Sequence, residues 1–269
     1  MKWKKIGNIL LVDDKFPYSD KNKEDQSKES NHSKKSDQSK ELKELLVKHN
    51  VKTIAKIKNI SGNLRQPEIE LLAGNQTETI HKENGSLFKL DIAKVMWSKG
   101  NTTERMRIAK LIEGGEIVVD MFAGIGYFSI PIAIHGNPKK VFSIELNPDS
   151  YTYLKENITI NKIPSQKIEA ILGDCAVEAP KLSADRVIMG YVKTTHNFLK
   201  PAIQCLRKGG ILHYHETVPE KIMNERPINR IKEIAIEEGR DEDIEILNNR
   251  IIKKYSPGVV HIVVDAKIY

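Results

Sequence analysis

The feature that most constrains this chain is an alternation of strand-like and helix-like segments over residues 91–269. Strands are predicted over residues 117–120, 141–145, 170–172, 184–189, 210–215 and 259–266, and helices over residues 128–135, 150–161, 196–206 and 227–238. Strands and helices that alternate at this spacing imply right-handed crossovers, so the sheet is predicted to be parallel with helices on both faces. The fold class predicted is α/β, a doubly wound sheet of the Rossmann type.

Residues 1–90 differ from the rest and predict a small α+β domain. Strands are predicted over residues 6–12, 53–57 and 69–72, and a helix over residues 41–48. Residues 19–41 contain no apolar side chain, and their six Lys are matched by six Asp and Glu. Because nothing there offsets the entropy of ordering, we expect a disordered or loosely helical insertion. The predicted domains are therefore 1–90 and 91–269.

Composition limits the classes of protein to which the chain can belong. Its 269 residues allow one or two domains, and its two cysteines are too few for a disulfide framework or a four-cysteine metal site. The apolar stretch over residues 117–134 contains an aspartate, two glycines and a proline, which argues against a membrane span. The N-terminus lacks the pattern of a signal peptide. A cytoplasmic location is expected.

The net charge of +7 is concentrated near the N-terminus. Residues 1–95 hold 19 Lys and Arg against 14 Asp and Glu, which is +5 and leaves +2 for the remainder. A basic balance gives a salt-sensitive attraction to phosphate backbones. A basic surface with no nucleic-acid partner explains the same charge equally well.

A glycine loop follows the first strand of the predicted Rossmann-type domain. The segment Asp120-Met-Phe-Ala-Gly124-Ile-Gly126 lies between a predicted strand and a predicted helix. Its two glycines allow a ligand to approach the backbone closely, and the helix N-terminus behind them offers unpaired N–H groups. Ser129 stands where the dinucleotide fingerprint has its third glycine. A nucleotide without a pyrophosphate is therefore favoured.

Two further carboxylates follow the next strands. Glu145 ends the second strand, 19 residues after Gly126, where a carboxylate accepts hydrogen bonds from ribose hydroxyls. Gly173 and Asp174 follow the third strand, where an acidic side chain meets an adenine amino group. For both carboxylates the alternative is a cap on the next helix. This set resembles the class I methyltransferase domain, which binds S-adenosyl-L-methionine.

Longer blocks resemble one branch of that class. The stretch ENGSLFKLDIAKVMWSKGNTTERMRIAKL, and later VVDMFAGIGYFSIPIA, DRVIMGYVKTTH, GGILHYHETVPEK and KYSPGVVHIVVDAKIY, are similar to the archaeal wyosine-pathway tRNA aminocarboxypropyltransferases. Their relatives are the tRNA guanine-37 N1-methyltransferases. Enzymes of the class that methylate nitrogen often carry Asn/Asp-Pro-Pro-aromatic after the fourth strand, whereas this chain has Met189-Gly-Tyr-Val. The resemblance extends over nearly the whole chain apart from residues 19–41.

The resemblance implies a reaction and a partner. The 3-amino-3-carboxypropyl group of S-adenosyl-L-methionine passes to C7 of 4-demethylwyosine at position 37 of tRNA(Phe), and methylthioadenosine is released. The implied partner is the anticodon arm of that tRNA, with no metal and no membrane, and a monomer is favoured. By match to family positions, Ser98 and Arg105 hold the methionine chain, with Arg105 on its carboxylate. Composition alone favours an exposed helix arginine at that position.

Other aromatic and histidine side chains remain open at this stage. His213 and His215 share one face of a predicted strand, which suits a metal pair, but no third ligand follows by spacing, and packing or RNA contact is favoured. Tyr127 and Tyr191 are interpreted either as platforms for the target base or as core residues. Two alternative functions are kept: N1-methylation of guanosine 37, and a tRNA-binding module without catalysis.

Overall fold

The chain forms two compact units, residues Met1–Lys99 and Gly100–Tyr269. The structure, a computed structural model, describes residues 3–13, 16, 31–62, 65–97, 99–192, 194–240 and 244–269, with residues 31–38 described as backbone only. This division lies nine residues after the predicted boundary at residue 90, so residues 91–99 belong to the first unit. Val95 and Trp97 are buried there, and the Trp97 ring packs edge-on against Phe88 at 5.1 Å.

The first unit contains a four-stranded sheet and a hairpin. Strands β1 (Trp3–Ile6), β2 (Ile9–Val12), β3 (Thr53–Ser61) and β4 (Gln66–Ala73) form the sheet in that order, and helix α1 (Asn31–His49) connects β2 to β3. Strands β5 (Glu78–Glu83) and β6 (Ser86–Asp91) form the hairpin. Leu10, Leu42 and Ile54 are among the core residues of the sheet and its helix. The α+β composition of this unit agrees with the sequence-based expectation.

Three expectations for the first unit need correction. The strand predicted over residues 6–12 begins only at Ile9, because Gly7 adopts a φ of +53° and turns the chain, and the unpredicted β1 before this turn is antiparallel to β2. The hairpin of β5 and β6 was not predicted as strands. The helix begins at Asn31 rather than at residue 41. Residues 31–41 are therefore helical, which is one of the two alternatives expected for the insertion, and residues 19–30 lie outside the described residues.

The second unit is built on a seven-stranded sheet. Its strands are β7 (Ile117–Asp120), β8 (Lys140–Glu145), β9 (Ile168–Leu172), β10 (Ala184–Met189), β11 (Leu206–Pro219), β12 (Ile244–Ser256) and β13 (Val259–Ile268), in the spatial order β12-β13-β11-β10-β7-β8-β9. Its helices are α2 (Thr102–Leu111), α3 (Ser129–His135), α4 (Pro148–Ile160), α5 (Cys175–Glu178), α6 (Leu199–Cys205) and α7 (Arg226–Glu237). This is the α/β fold with a doubly wound sheet of the Rossmann type that the sequence predicts.

The parallel part of the sheet matches the prediction, and the far edge does not. Strands β11, β10, β7, β8 and β9 run parallel to one another. Strand β13 is antiparallel to β11, and the unpredicted β12 is antiparallel to β13. Polar side chains such as Asn248, Asn249, Lys253 and Lys254 break the apolar alternation of β12, which explains why the sequence pattern does not reveal it.

The strand order locates the natural ligand site. Strand β7 lies between β10 and β8, so the crossovers from β7 and from β10 leave in opposite directions at this point. Ligands of open α/β sheets bind outside the carboxyl ends of the strands at such a switch point. Within the described part of the chain, no helix combines the length and apolarity needed to cross a membrane.

Candidate functional site

The loop after β7 stays hydrogen-bonded to both neighbouring strands. Met121 N–H donates to Ile188 O of β10 at 3.0 Å, and Ala123 N–H donates to Ile144 O of β8 at 2.9 Å. The buried Asn157 of α4 donates to Ile125 O at 3.0 Å. Because its backbone is held from both sides and from α4, the loop has one defined shape over the strand ends.

Glycine is required at both loop positions that the sequence singled out. Gly124 and Gly126 have φ angles of +57° and +98°, which L side chains rarely adopt. A Cβ on Gly124 would lie 2.5 Å from the Tyr127 ring, and a Cβ on Gly126 would lie 2.5 Å from Ile130 Cγ1. The loop therefore makes a tight turn that a side chain at either position would disrupt.

Glu145 contacts the glycine loop directly. Its Oε2 accepts a hydrogen bond from Gly124 N–H at 2.6 Å, and its Oε1 accepts one from Asn147 N–H at 2.8 Å. Burial raises the pKa of Glu145, although these backbone donors favour the charged form. Each carboxylate oxygen retains a second acceptor direction, which suits ribose hydroxyls. The cap of α4 is Asn147, which accepts from Asp149 N–H, so Glu145 is not a helix cap.

Asp120 lies beneath the loop. Its side chain is fully buried and accepts from Ser129 Oγ at 2.7 Å, and Ser129 in turn accepts from Ser143 Oγ at 2.7 Å. Burial raises the pKa of Asp120 to about 6. These hydrogen bonds of the buried Asp120 support the loop from below, and its direct contact with a cofactor stays a prediction. Ser129, which stands where the dinucleotide fingerprint has its third glycine, links Asp120 to Ser143 through these two buried hydrogen bonds.

Gly173 and Asp174 follow β9 beside Glu145. Gly173 N–H donates to the Glu145 carbonyl at 3.0 Å. The exposed Asp174 accepts from Ala176 N–H at 2.9 Å and caps α5, which is the alternative that the sequence left open. The cap uses Oδ1 of Asp174. The contact between Asp174 and an adenine amino group stays a prediction.

Arg105 is buried rather than exposed. It lies in α2, is 1% exposed, and places its guanidinium carbon 4.8 Å from the centre of the Tyr127 ring, a cation–π contact. Because Tyr127 belongs to the glycine loop, this contact brings a positive charge to the candidate site. The interpretation as a surface arginine is wrong. Ser98 lies outside the described residues.

At the end of β10, neither Met189 nor Gly190 carries a side-chain acceptor. Met189 is fully buried, and a Cβ on Gly190 would lie 2.6 Å from the Phe128 ring, so the backbone packs closely there. The next residue, Tyr191, stacks on Phe122 at 5.2 Å with 24° between the rings. Phe122 was not singled out by the sequence, although it lies in the glycine loop. The half-buried pair forms an aromatic surface between the ends of β7 and β10.

The strand histidines belong to buried hydrogen-bond networks. His213 lies between Asp265, at 2.6 Å, and Arg186, at 2.9 Å, and His215 pairs with His261 at 3.0 Å. Burial lowers the pKa of both His213 and His215, which favours neutral imidazoles. Among the described residues, no group of three or more His, Cys, Asp or Glu is arranged to hold a metal ion. Packing, one of the two interpretations from the sequence, describes these histidines.

Comparison with known proteins gives a consistent result. The TRM5/TYW2 methyltransferase domain matches residues 79–246. The chain is 46% identical over 269 residues to the tRNA(Phe) (4-demethylwyosine(37)-C(7)) aminocarboxypropyltransferase of Methanocaldococcus jannaschii, covering 99% of this chain and 98% of that protein. It is 41% identical over 224 residues to the tRNA (guanine(37)-N(1))-methyltransferase Trm5b of Pyrococcus abyssi, covering 82% and 66%. The crystal structure of M. jannaschii TYW2 with AdoMet superposes with a TM-score of 0.74 at 40% identity, covering 99% of each chain.

Proposed function

We propose that this chain, which belongs to the TRM5/TYW2 methyltransferase family, is an S-adenosyl-L-methionine-dependent tRNA aminocarboxypropyltransferase. It transfers the 3-amino-3-carboxypropyl group to C7 of 4-demethylwyosine at position 37 of tRNA(Phe) and releases methylthioadenosine. The observation that carries this assignment is the end-to-end match to a protein of that activity. The geometry at the strand ends agrees with it in three respects, which concern the nucleoside, the methionine chain and the target base.

The nucleoside fits the residues at the ends of β7, β8 and β9. Gly124 and Gly126 place no side chain at their two positions in the loop, and Glu145 presents its carboxylate beside Gly124 N–H. A carboxylate in this position accepts hydrogen bonds from two ribose hydroxyls. Asp174, at the end of the next strand, faces the adenine. The loop and Glu145 are intact and connected, which argues against a binding module that has lost catalysis.

The methionine chain needs a cationic partner. S-Adenosyl-L-methionine supplies a sulfonium with three electrophilic carbons, and the carbon held in line with the nucleophile is the one that reacts. Arg105 pairs with the carboxylate of the chain, because a buried guanidinium forms strong charge-assisted bonds with carboxylates. Its contact with Tyr127 fixes the charge at the glycine loop. Arg105 therefore sets the pose that presents the aminocarboxypropyl carbon.

The target base lies against the end of β10. Methylation of a ring nitrogen needs an acceptor that holds that nitrogen, and Met189 and Gly190 supply no such side chain. The Phe122–Tyr191 surface provides an aromatic platform on which a base taken out of its stack can lie. Alkylation at carbon needs the ring to be positioned and has less need of a side chain that grips a nitrogen. The site thus favours the carbon acceptor over N1-methylation of guanosine 37.

The partner and the state of the protein follow as further parts of the proposal. The anticodon arm of tRNA(Phe) carries position 37 and is the part of the substrate that must reach β10. The charge of +5 in residues 1–95 supports attraction to its phosphates. A monomer in the cytoplasm remains the prediction made from the sequence.

Acceptor specificity tests the proposed function. The protein is incubated with S-adenosyl-L-methionine and with either unmodified tRNA(Phe), which has guanosine at position 37, or tRNA(Phe) that carries 4-demethylwyosine there. Mass spectrometry of the nuclease-digested tRNA should show an added aminocarboxypropyl group on the wyosine tRNA and no change in the guanosine tRNA. Formation of 1-methylguanosine would support the methyltransferase, and no product on either tRNA would support the binding module.

A further inference from the structure

We propose that a buried cluster formed by Glu104, Arg107 and Asp265 is a positioning device, which fixes helix α2 and thereby Arg105 for the transfer reaction. The inference rests on the proposed function, since that function assigns Arg105 to the carboxylate of the methionine chain. Glu104 and Arg107 belong to α2, and Asp265 belongs to β13.

Arg107 holds both carboxylates of the cluster in a bidentate manner. Its Nε and Nη2 donate to the two oxygens of Glu104 at 2.8 and 2.7 Å. Its Nη1 and Nη2 donate to the two oxygens of Asp265 at 2.6 and 3.1 Å. The side chains of Glu104 and Asp265 are only 1% and 4% exposed. The Glu104 fork lies within α2 and fixes the Arg107 guanidinium on its own helix. The Asp265 fork joins that guanidinium to β13, and a fork fixes orientation as well as distance, so it defines how α2 is rotated against the sheet.

The cluster continues across three strands. His213 of β11 lies 2.6 Å from Asp265 and 2.9 Å from Arg186 of β10. Arg186 donates to both oxygens of Glu116, which precedes β7, at 2.8 and 2.7 Å. Buried ion pairs are weak sources of net stability, because desolvation offsets their attraction. A network this extensive is better explained by the geometry that it imposes on α2.

The rotation of α2 determines where Arg105 lies. At 3.6 residues per turn, positions 105 and 107 point to nearly opposite sides of a helix. The Arg107 side faces Asp265 of the sheet, and Arg105 faces Tyr127 of the glycine loop. Any rotation of α2 that loosens the Arg107 contacts therefore moves Arg105 relative to the loop.

The chain offers a matched control at Glu216 of β11, three residues beyond His213. The fully buried Glu216 accepts from Arg226 Nη2 and from Arg230 Nη1, both at 2.6 Å. Both arginines belong to α7, and this cluster includes no residue of α2. It has the same chemistry as the first cluster, a buried carboxylate with guanidinium partners. Weakening it should disturb the fold without disturbing Arg105.

The test compares R107K with R226K in the full chain. Calorimetric titration measures the dissociation constants for S-adenosyl-L-methionine and for methylthioadenosine, which shares the nucleoside but lacks the aminocarboxypropyl chain. We expect R107K to weaken the binding of S-adenosyl-L-methionine about tenfold and the binding of methylthioadenosine by less than about twofold. The reason is that a displaced Arg105 loses its charge-assisted contact with the carboxylate, which methylthioadenosine lacks. R105A should give the same selective loss. R226K should leave the ratio of the two constants at its wild-type value.

The proposal would be overturned if R107K weakened the binding of both ligands equally or of neither. A selective loss of affinity for S-adenosyl-L-methionine in R226K would also overturn it. If R107K does not fold, D265N is measured in the same way, since it keeps one acceptor for Arg107. The acceptor experiment on wild-type protein decides the proposed function separately. If the wild type proves to be a methyltransferase and R107K selectively loses affinity for S-adenosyl-L-methionine, the proposed function is refuted and the positioning device is retained. If the wild type transfers the aminocarboxypropyl group and R107K shows no such selective loss, the proposed function is retained and the positioning device is refuted.

Discussion

At the scale of single residues, two carboxylates at the strand ends differ in their burial and in their contacts. Asp120 and Glu145 are the last residues of β7 and β8, and burial raises the pKa of both. Glu145 is half-buried and contacts the glycine loop, whereas Asp120 is fully enclosed beneath it. Under the proposed function, Glu145 therefore binds the ribose and Asp120 supports the loop.

Replacing Glu145 by Ala should weaken S-adenosyl-L-methionine binding roughly ten- to hundredfold, because hydrogen bonds to a charged group contribute about 1.5 to 3 kcal/mol. Calorimetric titration measures the dissociation constant. The control is E169A, which removes a half-exposed carboxylate of β9 whose partner is Lys140. An unchanged constant in a folded E145A protein would remove Glu145 from the site.

The buried Asp120 should make stability depend on pH. Its pKa is raised from 3.8 to about 6, so the folded state holds its proton more tightly than the unfolded state does. The contribution of this group to stability is therefore greatest at low pH and is lost as pH rises from about 4 to about 6. Relative to D120N, the unfolding free energy of the wild type should fall by up to about 3 kcal/mol over that range. Parallel pH profiles for the two proteins in chemical denaturation would contradict this.

At the scale of elements, the sequence predicts what local patterning controls. The five parallel strands were predictable, because apolar runs mark buried strands. The position of Glu145 beside the glycine loop was also predictable, because the carboxyl ends of parallel strands meet at one edge of the sheet. The cluster around Arg107 was not, because Glu104 and Arg107 are spaced like an exposed i,i+3 pair and Asp265 is distant in sequence. Only the tertiary fold buries them together.

The glycine loop gives a prediction at this scale. G126A should cost about 1 to 3 kcal/mol more unfolding free energy than G115A, because its Cβ also meets Ile130 Cγ1 at 2.5 Å. Gly115 is a matched control, since its φ of +89° imposes similar strain and nothing lies within 4 Å of its Cβ. Thermal melts measure the difference, and only G126A should also lose cofactor affinity. Equal melting temperatures would show that the loop has room for a side chain.

At the scale of the whole molecule, the polar segment before α1 should be dispensable. Deleting residues 20–30 should change the melting temperature by less than about 2 °C, because the segment has no apolar side chain to contribute to a core. L42A serves as the sensitive control, because Leu42 is buried in the core of the first unit and its truncation should cost about 2 to 5 kcal/mol. A drop after the deletion as large as that of L42A would show that the segment packs.

The fate of each carbon of the donor tests the proposed function most directly. Wild-type protein is incubated with tRNA(Phe) carrying 4-demethylwyosine and with S-adenosyl-L-methionine labelled separately in its methyl and carboxyl carbons. With Arg105 on the carboxylate and no side-chain acceptor at Met189, the carboxyl label should enter the tRNA and the methyl label should leave in methylthioadenosine. Methyl label in the tRNA, with S-adenosylhomocysteine released, would contradict it and make the protein a methyltransferase.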